Sequence, residues 1–270
     1  MDGKKLSVKI LNSVRRDIAA KKKKVGLGVI LVGKHPASLA YVRQKRLAAE
    51  KVGMQFFEKN LPSSISKKQF LKEVEKMNRD SKISGFIIQL PLPKKIDSQE
   101  IFELISPAKD VDGFHPLNIG RGLLGLPSLP PATPAGILRL FDFYKIPLKG
   151  KEVVVIGHSN IVGKPLAMLL LNRNATVTVC HEFTRDLKKF TKTADVVISA
   201  TGVPKLVRAS MLKKGCVVVD CGCKKIGGKL VGDVDFASVK KIAKAITPVP
   251  GGVGPMTVAT LIENTLKATC

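Results

Sequence analysis

Short apolar runs punctuate the chain throughout its length. VGLGVILVG, the stretch around QFFEKNLP and GFIIQLPLP fall in the first half; EVVVIG, ATVTVC, DVVISA and CVVVDCG fall in the second. They are continuously apolar rather than alternating, as parallel strands buried on both faces are. Between them, residues 37–52, 66–79 and 163–173 carry helical spacing. At the start, Leu6, Ile10, Val14 and Ile18 stand at i, i+4 steps of an amphipathic helix. The alternation predicts an α/β fold in which βα units wind into parallel sheets. GLPSLPPATPAG, residues 125–136, breaks the pattern and marks an expected boundary. A second Pro/Gly segment, TPVPGGVGPMT, precedes a last helix, TVATLIENTLKA, expected to pack back on the first domain. The expected division is a discontinuous domain of residues 1–130 plus 251–270 and a second domain of residues 131–250.

Length and composition agree with a globular chain: 270 residues, 44% hydrophobic and 25% charged. The net charge of +25 is the unusual number, and it predicts a field that attracts anions such as phosphates. The only tight basic run is KKKK at 21–24, read as a solvated helix end. Aromatic content of 5% with no Trp argues against a nucleic-acid module built on interleaved aromatics. No apolar run approaches the roughly 18 residues needed to span a bilayer, and the N-terminal pattern lacks a signal peptide's apolar core. Five cysteines form no CxxC pair, so neither a zinc nor a disulfide framework is expected and a reducing cytoplasm fits. Cys221 and Cys223 are expected to face opposite sides of the strand CVVVDCGC.

Two sets of residues carry candidate chemistry. VVVIGHSNIVGKPLAMLLL reads as strand, glycine turn and helix, a context in which backbone N–H groups point at a phosphate. It is not a Walker A loop, because Pro165 stands where Ser or Thr is required. It also departs from G-x-G-x-x-G, since Ser159 replaces the second glycine and Gly163 comes one residue late. A tight turn that binds nothing is the bland alternative. Glu182, 25 residues beyond Gly157 at the end of the next strand, favours dinucleotide binding through the adenosine ribose hydroxyls. In the first half, Tyr41 and Lys45 stand i, i+4 on a predicted helix. Gln89 ends a strand, and Asp110 and Asp112 flank one valine in KDVDGFHP. Tyr-x-x-x-Lys also occurs in short-chain dehydrogenases, but there the glycine motif comes first, and here the order is reversed.

Taken together, SLAYVRQKR, GFIIQLPLP, SPAKDVDGFHPLNIG, PATPAGI, VVVIGHSNIVGKPLA, ATVTVCHEFT, KLVGDVDF and ITPVPGGVGPMTVATL closely resemble the bifunctional methylenetetrahydrofolate dehydrogenase/methenyltetrahydrofolate cyclohydrolase family. They occur in the family's order and cover nearly the whole chain. The resemblance implies two domains around a cleft, the second Rossmann-like, and two reactions of one-carbon metabolism. The first is NAD(P)-dependent oxidation of 5,10-methylenetetrahydrofolate; the second is hydrolysis of the methenyl product to 10-formyltetrahydrofolate. It implies that Lys45 is the essential catalytic group, that Gln89 works with it, that Tyr41 packs on the folate rings and that Asp112 holds the pterin. Leu90 and the loop residues Pro250, Gly251, Gly252 and Gly254 come with it as substrate-binding positions. Gly157, His158, Ser159, Gly163, Glu182 and Cys223 come as cofactor-binding ones. A polyglutamylated folate substrate, a homodimer and no metal are further expectations of the resemblance.

One departure bears on the coenzyme. Family members that use NADP commonly carry a cationic or hydroxyl side chain where this chain has His158 and Glu182. A carboxylate repels a 2′-phosphate and accepts a hydrogen bond from a 2′-hydroxyl. NADP is the expected coenzyme, with NAD the alternative.

Overall fold

The computed structural model describes residues 1–21 and 24–269; Lys22 and Lys23, half of the basic run, and Cys270 lie outside them. The chain divides into two compact units. One comprises Val8–Ala132 and Val258–Cys270, the other Met1–Ser7 and Thr133–Thr257. Helices α1 (Gly3–Ala19) and α10 (Val253–Lys267) each contribute residues to both.

The unit containing Val8–Ala132 holds a parallel sheet of β1 (Gly26–Val32), β2 (Gln55–Leu61) and β3 (Gly85–Gln89), in the order β2-β1-β3. All seven β1 residues are buried, which is why VGLGVILVG reads as unbroken apolar sequence. Between β1 and β2 runs α2 (Pro36–Lys51). Pro36 at its first turn lacks the N–H that a helix start leaves unpaired, and the Gly53 and Met54 amides close its other end on Glu50 and Ala49. Between β2 and β3 runs α3 (Lys67–Arg79), opened by a reciprocal capping box of Ser66 and Gln69. Short helices α4 (Ser98–Glu103) and α5 (Pro116–Leu123) follow β3. From α10, Leu261, Ile262 and Leu266 pack with Leu27, Val29, Val42 and Ala49 in one buried cluster. The buried Asn264 amide donates to the carbonyls of Val111 (3.0 Å) and Pro130 (2.9 Å), fastening both ends of the loop after Asp110.

In the unit containing Thr133–Thr257, α6 (Ala132–Phe143) leads to a five-stranded parallel sheet. Its members are β4 (Glu152–Ile156), β5 (Thr176–Cys180), β6 (Val196–Ser199), β7 (Val217–Asp220) and, after the antiparallel pair β8 (Lys224–Ile226) and β9 (Lys229–Val231), β10 (Ala245–Ile246). The order β5-β4-β6-β7-β10 is that of a doubly wound nucleotide-binding sheet. The crossover helices are α7 (Gly163–Leu171), α8 (Leu187–Thr191) and α9 (Phe236–Val239). Strand β7 ends at Asp220, so Cys221 and Cys223 lie past it in a turn and do not alternate across a strand as expected. Asp220 cuts the apolar run short: its carboxylate turns back to accept from the amides of Gly222, Asp233 and Val234. Among the described residues, no helix is long and apolar enough to cross a membrane.

Candidate active site

Both sheets begin with the same reversal of strand order, and each reversal opens a crevice at the carboxyl ends of adjacent parallel strands, where α/β sheets bind ligands. In the first unit the crevice lies between β1 and β3, where Leu31 and Gln89 are in register. Gln89 is the last residue of β3 and is half-buried. On α2, the buried residues Ser38, Val42, Lys45 and Ala49 form the inward stripe, with Lys45 the one ionisable member. Lys45 Nζ donates to Gln89 Oε1 at 3.0 Å. Gln89 Nε2 donates to the Leu90 carbonyl at 2.9 Å, to which Ser38 Oγ also donates at 3.3 Å. The glutamine is thereby oriented with its carbonyl oxygen toward the lysine. Tyr41, one turn before Lys45 on α2, is 40% exposed. The peptide bond from Leu90 to Pro91 is cis.

The two aspartates of KDVDG separate into different roles. Asp110 is 1% exposed and accepts from the Gly113, Phe114 and His115 amides and from Asn118 Nδ2, at 2.8–3.1 Å. It holds the loop. Asp112 is the electrostatic partner of Lys45: burial pushes its carboxyl above the usual range, and the Lys45 ammonium draws it part of the way back. Burial holds the Lys45 ammonium below the ordinary lysine value, against an upward pull from Asp112. The bridge pairing of Phe86 with Asp110 lays this loop alongside β3. Arg46 points away from the cluster, paired with Glu58 and lying 5.3 Å over the Phe56 ring.

In the second unit the crevice lies between β4 and β6, with Ile156 and Ser199 in register. Gly157 follows β4 at φ +109°, and a Cβ there would stand 2.5 Å from the Ala200 carbonyl oxygen. At Gly163 a Cβ would stand 2.0 Å from the Gly157 oxygen. No side chain larger than hydrogen fits at Gly157 or Gly163, so the backbone of the turn can be approached closely there. Ser159 Oγ accepts from the Val162 amide at 3.2 Å, bracing the turn into α7. His158 Nδ1 lies 3.5 Å from Glu182 Oε2, and the His158 and His181 rings are 4.8 Å apart. Cys223 is exposed in the turn after β7. A βα turn of this shape at the switch point, with an acid beyond the next strand, fits a dinucleotide. Pro250, Gly251, Gly252 and Gly254 also belong to this unit; the Gly251 carbonyl accepts from the amides of Gly3 and Lys4 at 3.0 Å.

Three residues of this unit escape a reading of the sequence. His181 completes the group with His158 and Glu182, and its adjacency to Glu182 is the one available signal. Asp233 Oδ2 accepts from Ser199 Oγ, from the amide and hydroxyl of Thr201 and from the Gly202 amide, at 2.7–3.2 Å. This fixes the turn after β6. Asp220 fixes the segment that carries Asp233, and burial pushes its carboxyl up to about 6.

The fold and the crevice of each unit define a two-unit α/β protein with one dinucleotide-type sheet. Comparison with known proteins narrows this. The profile of the tetrahydrofolate dehydrogenase/cyclohydrolase catalytic domain matches residues 1–112, and that of the family's NAD(P)-binding domain matches residues 131–270. The bifunctional protein FolD of Nitratiruptor sp. is 51% identical over 272 residues, covering 99% of this chain and 96% of that protein. Among solved structures, the bifunctional FolD methylenetetrahydrofolate dehydrogenase/cyclohydrolase of Campylobacter jejuni is 46% identical with a TM-score of 0.96, covering 99% of this chain and 96% of that one. The Trypanosoma brucei enzyme, solved with NADP cofactor and an inhibitor, is 37% identical with a TM-score of 0.95 over the same shares of the two chains. The chain belongs to the tetrahydrofolate dehydrogenase/cyclohydrolase family.

Proposed function

We propose that this chain catalyses both reactions of its family: oxidation of 5,10-methylenetetrahydrofolate with NAD(P)+, and hydrolysis of the methenyl product to 10-formyltetrahydrofolate. The observation that carries the reading is the Lys45–Gln89 hydrogen bond beside Asp112, a buried lysine on a short leash at a strand-end crevice. In the hydrolysis, neutral Lys45 takes a proton from the water that attacks the methenyl carbon, and Gln89 fixes the direction of the amine. Desolvation favours the neutral amine, and the cationic substrate pushes it the same way. Asp112 accepts from the adjacent N–H donors of the pterin. Tyr41 supplies a flat face to the folate rings, and Leu90 contributes to the same substrate site. The coenzyme, when bound, would supply the acceptor for the hydride of the methylene carbon. Gly157, His158, Ser159, Gly163, Glu182 and Cys223 hold the coenzyme, and the oxidation asks positioning of the chain rather than a proton transfer. The unit with Val8–Ala132 is then the folate-binding one. The net charge of +25 suits a polyglutamylated substrate, and the family reading brings with it a cytoplasmic homodimer.

The pH profile tests the lysine. Hydrolysis falls as pH is lowered through the Lys45 pKa, because the protonated amine cannot act as a base. The midpoint lies below that of an ordinary lysine, and Asp112→Asn moves it lower still, since the Asp112 charge is what raises it. A profile of kcat against pH for the wild type and this variant measures both; a midpoint unmoved or raised in the variant contradicts the pairing.

NADP is the coenzyme we assign. His158, with Arg185 and Lys188 further along the chain, offsets the charge of Glu182 toward a 2′-phosphate. The 3.5 Å approach of Glu182 to His158 favours NAD as the second reading, because it ties up the imidazole with an acid. The kcat/KM values for the two coenzymes decide, and a preference of about tenfold or more for NAD rejects the assignment.

A further inference from the structure

We propose that His158, His181 and Glu182 form a binding site for one divalent transition-metal ion of the zinc type. Strands β4 and β5 are parallel neighbours with Ile156 opposite Cys180, and the Gly157 amide donates to the Cys180 carbonyl at 2.8 Å. The two chain segments therefore leave the sheet level with each other, which sets residue 158 against residues 181 and 182. One ligand atom from each of the three side chains lies within 4.8 Å of the others. The His158 Nδ1 to Glu182 Oε2 separation is 3.5 Å. Ligands about 2.0–2.2 Å from a tetrahedral zinc stand roughly 3.4 Å from one another. One edge of the polyhedron is thus already at length, and small side-chain rotations close the rest.

The donor set selects the ion. Two imidazoles and one carboxylate match zinc and its neighbours, with a fourth position left to water, whereas magnesium and calcium require oxygen ligands. Glu182 is 65% and His158 40% exposed, so both have room to turn. His181 is held by its turn: its amide donates to Thr184 Oγ1 at 2.9 Å, and its Nδ1 accepts from the Phe183 amide at 3.2 Å. Coordination through Nε2 moves the ring proton to Nδ1 and gives up that last hydrogen bond, on an exposed turn where water replaces it.

The same two side chains, His158 and Glu182, are those assigned above to the adenosine end of the coenzyme. The ion and the dinucleotide therefore exclude each other, and this consequence rests on that assignment. Titration of the coenzyme-free full chain with zinc chloride, followed by calorimetry, tests the site directly. One ion binds per chain; His181→Ala and Glu182→Gln each weaken it by at least tenfold, and Cys223→Ser, which removes the one thiol exposed among the described residues, leaves it unchanged. Unaltered affinity in the histidine and glutamate variants, or loss in the cysteine variant alone, overturns the site. A repeat in saturating NADP, and then NAD, raises the apparent zinc dissociation constant at least tenfold. If the variants behave as stated but neither dinucleotide competes, the metal site stands and the placement of the coenzyme at His158 and Glu182 is wrong.

Discussion

Replacing Lys45 by methionine abolishes cyclohydrolase activity while the fold survives. Methionine keeps the length and apolar stem of the side chain and removes its only base. Loss of a positioned general base lowers the rate by about 10²–10⁴-fold, which for hydrolysis of a substrate that also reacts uncatalysed leaves little above background. The folded protein does not suffer in proportion. Burial depresses the Lys45 pKa, so below that pKa the fold carries a charge that it disfavours, and the penalty disappears as pH rises through the folded and then the unfolded value. At neutral pH the substitution removes that penalty and leaves Gln89 Oε1 without one donor, two effects that oppose each other. The melting temperature is therefore expected to stay level or rise. Stopped assays with supplied methenyltetrahydrofolate, paired with thermal melts, check both. Near-wild-type hydrolysis removes Lys45 from the mechanism; a collapse in melting temperature makes the lost activity uninformative, and Lys45→Gln then takes its place.

Gly163→Ala acts on the other unit and on the other reaction. The new methyl group would stand 2.0 Å from the Gly157 oxygen and 2.9 Å from the His158 Cα, both backbone atoms that no rotamer change can move aside. The turn must open, displacing the phosphate-facing amides together with His158. Overpacking of this sort costs about 1–3 kcal/mol, and each kcal/mol lowers the melting temperature of a chain this size by roughly 2–4 °C. Coenzyme affinity drops by about tenfold or more, since a misplacement near 1 Å costs up to about 10²-fold in a positioned reaction. Hydrolysis of supplied methenyltetrahydrofolate persists, because Lys45, Gln89 and Asp112 lie in the other compact unit. Gly120→Ala, in α5 with nothing within 4 Å of its Cβ, is the matched control and is neutral or slightly stabilising. Equal loss of both activities in Gly163→Ala contradicts this separation.

The parts of the fold that can be read from the sequence are those whose residues answer to one force. The strands β1, β3, β4, β6 and β7 are buried along nearly their whole length, so burial alone writes them as apolar runs. The pair β8 and β9 is exposed and lysine-rich, and two residues of β10 are too few to show any period. Helix α6 starts inside the proline-rich stretch, where local composition argues for a linker and tertiary packing of Ile137, Leu140 and Phe141 prevails. At the site, Lys45 stands out of 46 basic residues only through the company of Gln89 and Asp112. Nothing in DVD distinguishes the aspartate that holds the loop from the one that faces the lysine. That distinction depends on which carboxylate meets the amides of residues 113–115, a matter of backbone direction.

The carbonyl of Gly251 that receives the Gly3 and Lys4 amides has a bearing on how the chain is made. The two donors, residues 3 and 4, precede their acceptor, residue 251, by almost the whole of this sequence. At about 5–20 residues per second of synthesis, the start of α1 waits roughly 10–50 s for its partner. The last helix, with Asn264 spanning Val111 and Pro130, is later still. Until residues 251–264 have been synthesised neither compact unit can close, and its apolar surface stays open to association for that interval.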